Sequence, residues 1–214
     1  QKSIVCTVTV TTNANTDTNA TSFLGSYLEG YNVADLMWGS AYAKPITVSF
    51  WVKSSVAGNY PLTITTGTGT NRGFVRHYTI STPNVWEYKT VTIVGPTSGT
   101  WSSTNGIGMN VVFSVGTGSS FVAAAGAWTS SAYLSATGAT SVVGTNGATF
   151  YITGVQLEVG SQATSFDYRP YGTELALCQR YCYRLDAAAG AYVAIFAATS
   201  SSTGVATLTL PVMA

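Results

Sequence analysis

The sequence predicts an all-β protein: an antiparallel β-sandwich of the jelly-roll kind with a short helix and a small C-terminal β region. Three observations carry this. Apolar residues recur with a period of two in several separate stretches, which places one set of side chains on a core face and the other outside it. Clusters of Gly, Asn and Pro separate those stretches and supply the backbone that tight connections need. Only 8% of the 214 residues are charged while 12% are aromatic, the opposite of a disordered chain. The length suits one β unit with a small appendage, and the division is expected at 1–172 and 173–214.

Taken in order, Ile4, Cys6, Val8 and Val10 alternate with Val5, Thr7 and Thr9. Positions 32–38 look locally helical. Ile46, Val48, Phe50 and Val52 alternate with Thr47, Ser49, Trp51 and Lys53, and Met109, Val111, Phe113 and Val115 alternate with Asn110 and Ser114. Turns fall at Gly58-Asn59, Gly67-Thr68-Gly69, Gly95-Pro96, Asn105-Gly106, Gly116-Thr117-Gly118 and Asn146-Gly147. They follow no fixed interval, so a solenoid or parallel β-helix is unsupported. One strand changes phase: Phe150 and Ile152 are apolar at even positions, Val155, Leu157 and Val159 at odd ones, with Thr153-Gly154 between them. One extra residue restores a common core face, so a bulge or sharp bend is expected at Gly154. Pro170 and Gly172 mark a boundary, and a helix is expected over 173–181 with Thr173 as its cap. Strands are expected at 181–185, 191–199 and 205–212. The sequence ends in an apolar strand pattern, and a larger parent protein is expected.

Charge and composition exclude several functions. A net charge of +1 without a run of Lys or Arg gives no field for nucleic acid or an anionic membrane. The most apolar stretch, 187–198, is well short of the ~20 residues a membrane helix needs. Cys6, Cys178 and Cys182 are the only thiols and His77 the only histidine, too few and too poorly spaced for a metal site. They are read as free thiols.

Catalysis is equally poorly supplied. A Ser-His-Asp arrangement would have to use His77, which lies in an alternating segment, and no Gly-x-Ser-x-Gly elbow is present. The eight carboxylates, Asp17, Glu29, Asp35, Glu87, Glu158, Asp167, Glu174 and Asp186, form no recognisable pair. The Gly-rich segments lack a Lys to hold phosphate. The chain is therefore read as non-enzymatic, without cofactor.

Binding has better material. Five Trp and 13 Tyr offer flat apolar faces with polar edges, suited to sugar rings, and Ser and Thr supply neutral hydroxyls. Core packing is the ordinary role of a Trp and is favoured for Trp51 and Trp86, which border strongly alternating strands. Trp101 and Trp128 follow Gly-, Ser- and Thr-rich loops and are the candidate ligand-binding residues.

Specific motifs add a resemblance. The run Leu28-Glu29-Gly30-Tyr31-Asn32-Val33-Ala34-Asp35-Leu36 is followed by Trp38-Gly39 and by 44–54, Lys-Pro-Ile-Thr-Val-Ser-Phe-Trp-Val-Lys-Ser. Further on come Phe150-Tyr151-Ile152-Thr153-Gly154-Val155-Gln156-Leu157-Glu158-Val159-Gly160, Ala163-Thr164-Ser165-Phe166-Asp167-Tyr168-Arg169-Pro170 and Glu174-Leu175-Ala176-Leu177-Cys178-Gln179-Arg180-Tyr181. With Gly99-Thr100-Trp101 and Gly126-Ala127-Trp128, this pattern resembles the carbohydrate-binding-module-like jelly-roll domain of tailed-phage tail fibres and other virion structural proteins.

That resemblance implies a non-catalytic virion component, a tail fibre or appendage segment that presents a β-sandwich for host-surface recognition, with polysaccharide as the expected class of receptor. The alternatives are a capsid decoration or head-fibre protein, or the carbohydrate-binding module of a secreted glycan-degrading enzyme. The implied partners are identical chains, as a homotrimer, together with other virion proteins and a host-surface glycan; neither nucleic acid nor membrane insertion is expected. The low charge and apolar tail independently favour association, with 173–212 contributing to the contact. Many related sugar-binding modules carry an acidic residue in the last core strand for a structural calcium; Thr153-Gly154 stands there in this chain, so poor calcium affinity is expected.

Overall fold

The period-two stretches become strands: the one at 46–53 buries its apolar set, the one at 109–115 is buried on both sides, and the one at 4–7 stays largely exposed, with Ile4 61% in solvent. The computed structural model describes residues 4–8, 17–66, 72–179, 197–198 and 204–205. The chain divides into two units, Gln1–Phe166 and Asp167–Ala214.

The first unit is the sandwich. Its strands are β1 (Ile4–Thr7), β2 (Thr21–Glu29), β3 (Ile46–Ser54), β4 (Gly58–Thr66), β5 (Gly73–Ile80), β6 (Glu87–Ile93), β7 (Ile107–Thr117), the two-residue β8 (Val122–Ala123), β9 (Trp128–Thr129) and β10 (Ser135–Ala136), and β11 (Thr149–Val159). One sheet has the order β1-β11-β3-β6 and the other β2-β7-β4-β5-β9, all antiparallel. With the two-residue strands set aside, the long strands fall in the order first, eighth, third, sixth in one sheet and second, seventh, fourth, fifth in the other. This is the doubled arrangement of a jelly roll, as the alternation predicts.

Between the sheets Phe50 meets Tyr78 and Phe113 edge to face, each at 4.9 Å between centroids. Ile46, Val48, Val52, Leu62, Ile64, Ile80, Ile93, Met109 and Phe150 fill the layer around them, all fully buried. Tyr60 keeps its hydroxyl satisfied inside the core by donating to the Val56 carbonyl at 2.6 Å, beside the Ser54 hydroxyl at 3.0 Å. Burial raises the hydroxyl pKa of Tyr60, and raises that of Tyr78 well above the ordinary tyrosine value. The locally helical stretch at 32–38 is two 3₁₀ turns, Gly30–Asn32 and Ala34–Leu36. Met37 ends them in the left-handed region at φ 53°.

The two outer faces differ. β10 packs across β4, β5 and β7. The amides of Thr140 and Val142 donate to the Asn59 and Val115 carbonyls at 2.7 Å each. β10 and the stretch around 140–142 thus lie over the five-stranded sheet, whose outward residues Thr63, Val75, Val112 and Ser114 are buried. On the outer face of the four-stranded sheet Trp51 and Tyr88 stay exposed, while Thr47 and Ser49 at the other end of β3 are buried.

In the second unit, α1 spans Tyr171–Gln179. Its first backbone bond runs from the Glu174 amide to the Pro170 carbonyl at 3.1 Å, so the chain enters the helix at Pro170 and Thr173 lies inside the first turn, not at the cap. β12 (Ala197–Ala198) pairs antiparallel with β13 (Gly204–Val205). The expected strand at 181–185, and the remainder of those at 191–199 and 205–212, lie outside the described residues. No helix among the described residues is long and apolar enough to cross a membrane.

Candidate functional site

β3 is the centre of the open face. Its alternation sends Ile46, Val48, Phe50 and Val52 into the core, which turns Thr47, Ser49, Trp51 and Lys53 outward. Pairing then fixes the neighbours. Trp51 lies opposite Tyr88 on β6 and Thr153 on β11, and Lys53 lies opposite Tyr151 on β11. Trp86, just ahead of β6, stands edge to face with Tyr151 at 6.2 Å, and Trp51 and Tyr88 are tilted together at 5.4 Å. Trp51 is 45% exposed, Tyr88 44% and Trp86 37%. Adjacent strands are ~4.8 Å apart and outward residues along one strand ~6.7 Å apart, so the four rings form a compact patch two rows deep.

Lys53 sits inside that patch. Its ammonium is 4.2 Å from the Tyr151 ring centroid and 5.4 Å from that of Trp86, a cation–π arrangement that holds the charge in place. Among the described residues Lys53 makes no ion pair; the pairs are Lys89–Glu87 at 2.6 Å and Arg169 with Asp167 and Glu174.

The expected bulge is present and continues the face. The β3–β11 register shifts between Thr153 and Gln156, and Gly154 takes φ +60°, a left-handed backbone that glycine adopts without penalty. As a result Gln156 and Glu158 pair with the outward Ser49 and Thr47. The outward side of the sheet therefore runs from the exposed aromatic rows to a polar end at which Ser49 and Thr47 are buried. There the chain after β11 turns back: the Thr47 hydroxyl donates to the Gly160 carbonyl at 2.8 Å, and Glu158 accepts from the hydroxyl and amide of Thr164. Those bonds, with one from Gln156, hold the Glu158 carboxyl below its ordinary pKa.

Trp101 and Trp128 are both half-buried, in mutual edge-to-face contact with the buried Trp38. The centroids are 4.7 Å apart for Trp38–Trp101, 5.4 Å for Trp38–Trp128 and 5.5 Å for Trp101–Trp128. The Trp38 indole donates to the Lys44 carbonyl at 2.7 Å and that of Trp128 to the Val94 carbonyl at 2.8 Å. A recess of about 100 Å³ beside Trp38 and Trp101 is lined by Val33, Leu36, Met37 and Ser102, below the ~300 Å³ at which small-molecule pockets begin. Trp51 and Trp86, expected in the core, are instead the exposed pair. Trp51 occupies the outward phase of an otherwise ordinary strand, a signal already in its alternation with Phe50 and Val52. The sequence reading did not select Tyr88, Tyr151 or Lys53 as site residues: Tyr88 and Tyr151 lie far from Trp51 in sequence and only strand pairing brings them together, whereas Lys53 lies two positions along the same strand and shared the outward phase of Trp51.

The remaining candidate groups stay apart. His77 lies on β5 opposite Pro61. Glu87 accepts from Lys89 and from the Ser81 and Thr82 amides, which hold its carboxyl below the ordinary value, Lys89 foremost. Cys6 and Cys178 are free thiols; Cys182 lies outside the described residues. Among the described residues no three His, Cys, Asp or Glu side chains are grouped to hold a metal.

No protein-family model and no curated protein matches the chain. Among solved structures, the carbohydrate-binding module described as "CBM4 structure and function" is similar at 11% identity and a TM-score of 0.39, over 73% of this chain and 83% of that one. "Family 16 Carbohydrate Binding Module-2" is similar at 10% identity and a TM-score of 0.32, over 65% of this chain and 71% of that one. The assignment of the fold rests on the strand order described above.

Proposed function

We propose that the chain is a non-catalytic glycan-binding β-sandwich, carried on a tail fibre or similar appendage of a tailed phage as a homotrimer, where it meets polysaccharide at the host surface. The observation that carries the glycan reading is the open aromatic patch of Trp51, Tyr88, Trp86 and Tyr151 on a rigid sheet. Trp51, Tyr88 and Trp86 are exposed and Tyr151 half-buried, tilted or edge to face against one another; rings held in this way present apolar surface with little side-chain ordering on binding, while Thr90 and Gln156 nearby supply polar groups. The virion setting is supported by the sequence motifs at 28–54 and 150–181.

Glycan-array screening of the full chain, followed by affinity measurement on the best ligand, tests the binding. Trp51→Ala is expected to weaken affinity by about tenfold or more, the scale of a central aromatic contact. Trp101→Ala and Trp128→Ala are measured beside it. Full binding by Trp51→Ala with loss in either of the others would move the site to the tryptophan cluster, and no binding to any glycan would overturn the reading.

A further inference from the structure

The open face does more than present rings, because a cation stands among them. We infer that the patch selects acidic glycans, with Lys53 receiving a sugar carboxylate while Trp51 and Tyr88 stack on the apolar face of the same sugar or its neighbour. This inference rests on the glycan-binding reading above and names the class of ligand.

Three features of the face point there. First, Lys53 is the charged group of the aromatic rows, and no carboxylate accompanies it. Of the acids on the flanking strands, Glu87 pairs with the inward Val52 and is engaged by Lys89, and Glu158 lies at the polar end, engaged by Thr164. Second, the ammonium is positioned in advance. Contact with the Tyr151 and Trp86 rings restrains a side chain that otherwise loses much rotamer freedom on binding, yet leaves its three N–H donors without a carboxylate partner among the described residues. Third, the rings themselves disfavour an anion: an aromatic face is negative, so a carboxylate laid over Trp51 or Tyr88 is repelled. Lys53, one step of ~6.7 Å along β3 from Trp51, is the place in the patch where the negative group is stabilised. The two constraints together set an orientation, with the apolar sugar face over the Trp51–Tyr88 row and the carboxylate over the Lys53 row.

The experiment pairs each acidic polysaccharide with its own carboxyl-reduced form, which keeps the backbone and removes the charge. Oligosaccharides of galacturonan, alginate and hyaluronan, native and reduced, are titrated into the full chain, into Lys53→Met and into Trp51→Ala, with near-UV circular dichroism as the check of folding. At least one native acid is expected to bind about tenfold more tightly than its reduced form, a difference of ~1.4 kcal/mol. Lys53→Met should abolish that ratio, and added salt should weaken the native pair more than the reduced one. Reduced glycans that bind as tightly as the acids, with loss in Trp51→Ala, would overturn the charge selection and leave the aromatic platform standing. An acid preference untouched by Lys53→Met would overturn the assignment to Lys53. Binding of no glycan in either form would overturn both.

Discussion

Phe50 and Trp51 are adjacent in the chain and on opposite sides of the same sheet, so one pair of substitutions tests the assignment of faces. Phe50 is fully buried and touches two further rings at 4.9 Å. Phe50→Ala removes those contacts and leaves a cavity, which costs about 3–5 kcal/mol. Trp51 is the larger residue, but 45% of it is in water and its ring contact is with Tyr88 alone among the described rings. Water fills the space that Trp51→Ala vacates, so the cost is about 1 kcal/mol, one aromatic pair. For a chain of this size 1 kcal/mol moves the melting temperature by about 2–4 °C, so the two variants should separate clearly. Urea unfolding followed by far-UV circular dichroism gives both free energies, with equal m-values as the check that only stability has changed. If Trp51→Ala proved as destabilising as Phe50→Ala, the aromatic patch would be core and the proposed site would not exist.

Gly154→Ala places a side chain in the left-handed region and should cost about 1–2 kcal/mol; a change near zero in urea unfolding would mean that the bulge is not where the register shift puts it. The depressed carboxyl of Glu87 gives stability that is complete above the unfolded-state value of ~4.3 and is lost as pH falls through the lower folded-state value. Glu87→Gln should therefore flatten the acid limb of the stability profile, and an unaltered limb would refute the Lys89 contact. Tyr60 and Tyr78 titrate above the ordinary tyrosine range, so stability should fall as pH rises beyond ~10, where the unfolded chain releases those protons first. In ultraviolet titration of the folded chain these two hydroxyls should lag behind the exposed tyrosines, and one titration step for all would refute their burial.

Much of this fold was legible from period and punctuation. The alternation at 46–53 and 109–115 located β3 and β7, and the phase change at Thr153-Gly154 located the bulge, because a strand with one buried face must place every apolar residue on it. The helix start was misplaced because a Pro carbonyl serves as the first acceptor as well as a Thr can, and composition favours the hydroxyl. The tryptophans went astray for a different reason. Trp is read as core from its size, whereas its side of the sheet is set by phase, and Trp51 was out of phase with its apolar neighbours. Trp101 and Trp128 sit in loop-like sequence yet fold against Trp38, a contact that no local pattern encodes. The site itself is non-local: Trp51, Tyr88 and Tyr151 meet only once β3 is paired on both sides.

The shape of the face bears on how such a module would be used. A patch of four rings and one cation on the face of a sheet would bury a modest part of a sugar chain and leave much of the ligand solvated, which limits what one copy can hold. A glycan on a cell surface, however, is a repeating array, and a trimer would present three such faces at once. Linking weak sites in that way raises the overall affinity by about 10²–10⁴ without any new contact, provided the geometry lets them bind together. Oligomerisation and glycan recognition are therefore one proposal physically. Sedimentation equilibrium gives the assembly state, and binding to immobilised polysaccharide should exceed binding to the free oligosaccharide by that margin. A stable monomer that held the immobilised and the free glycan equally well would refute the coupling.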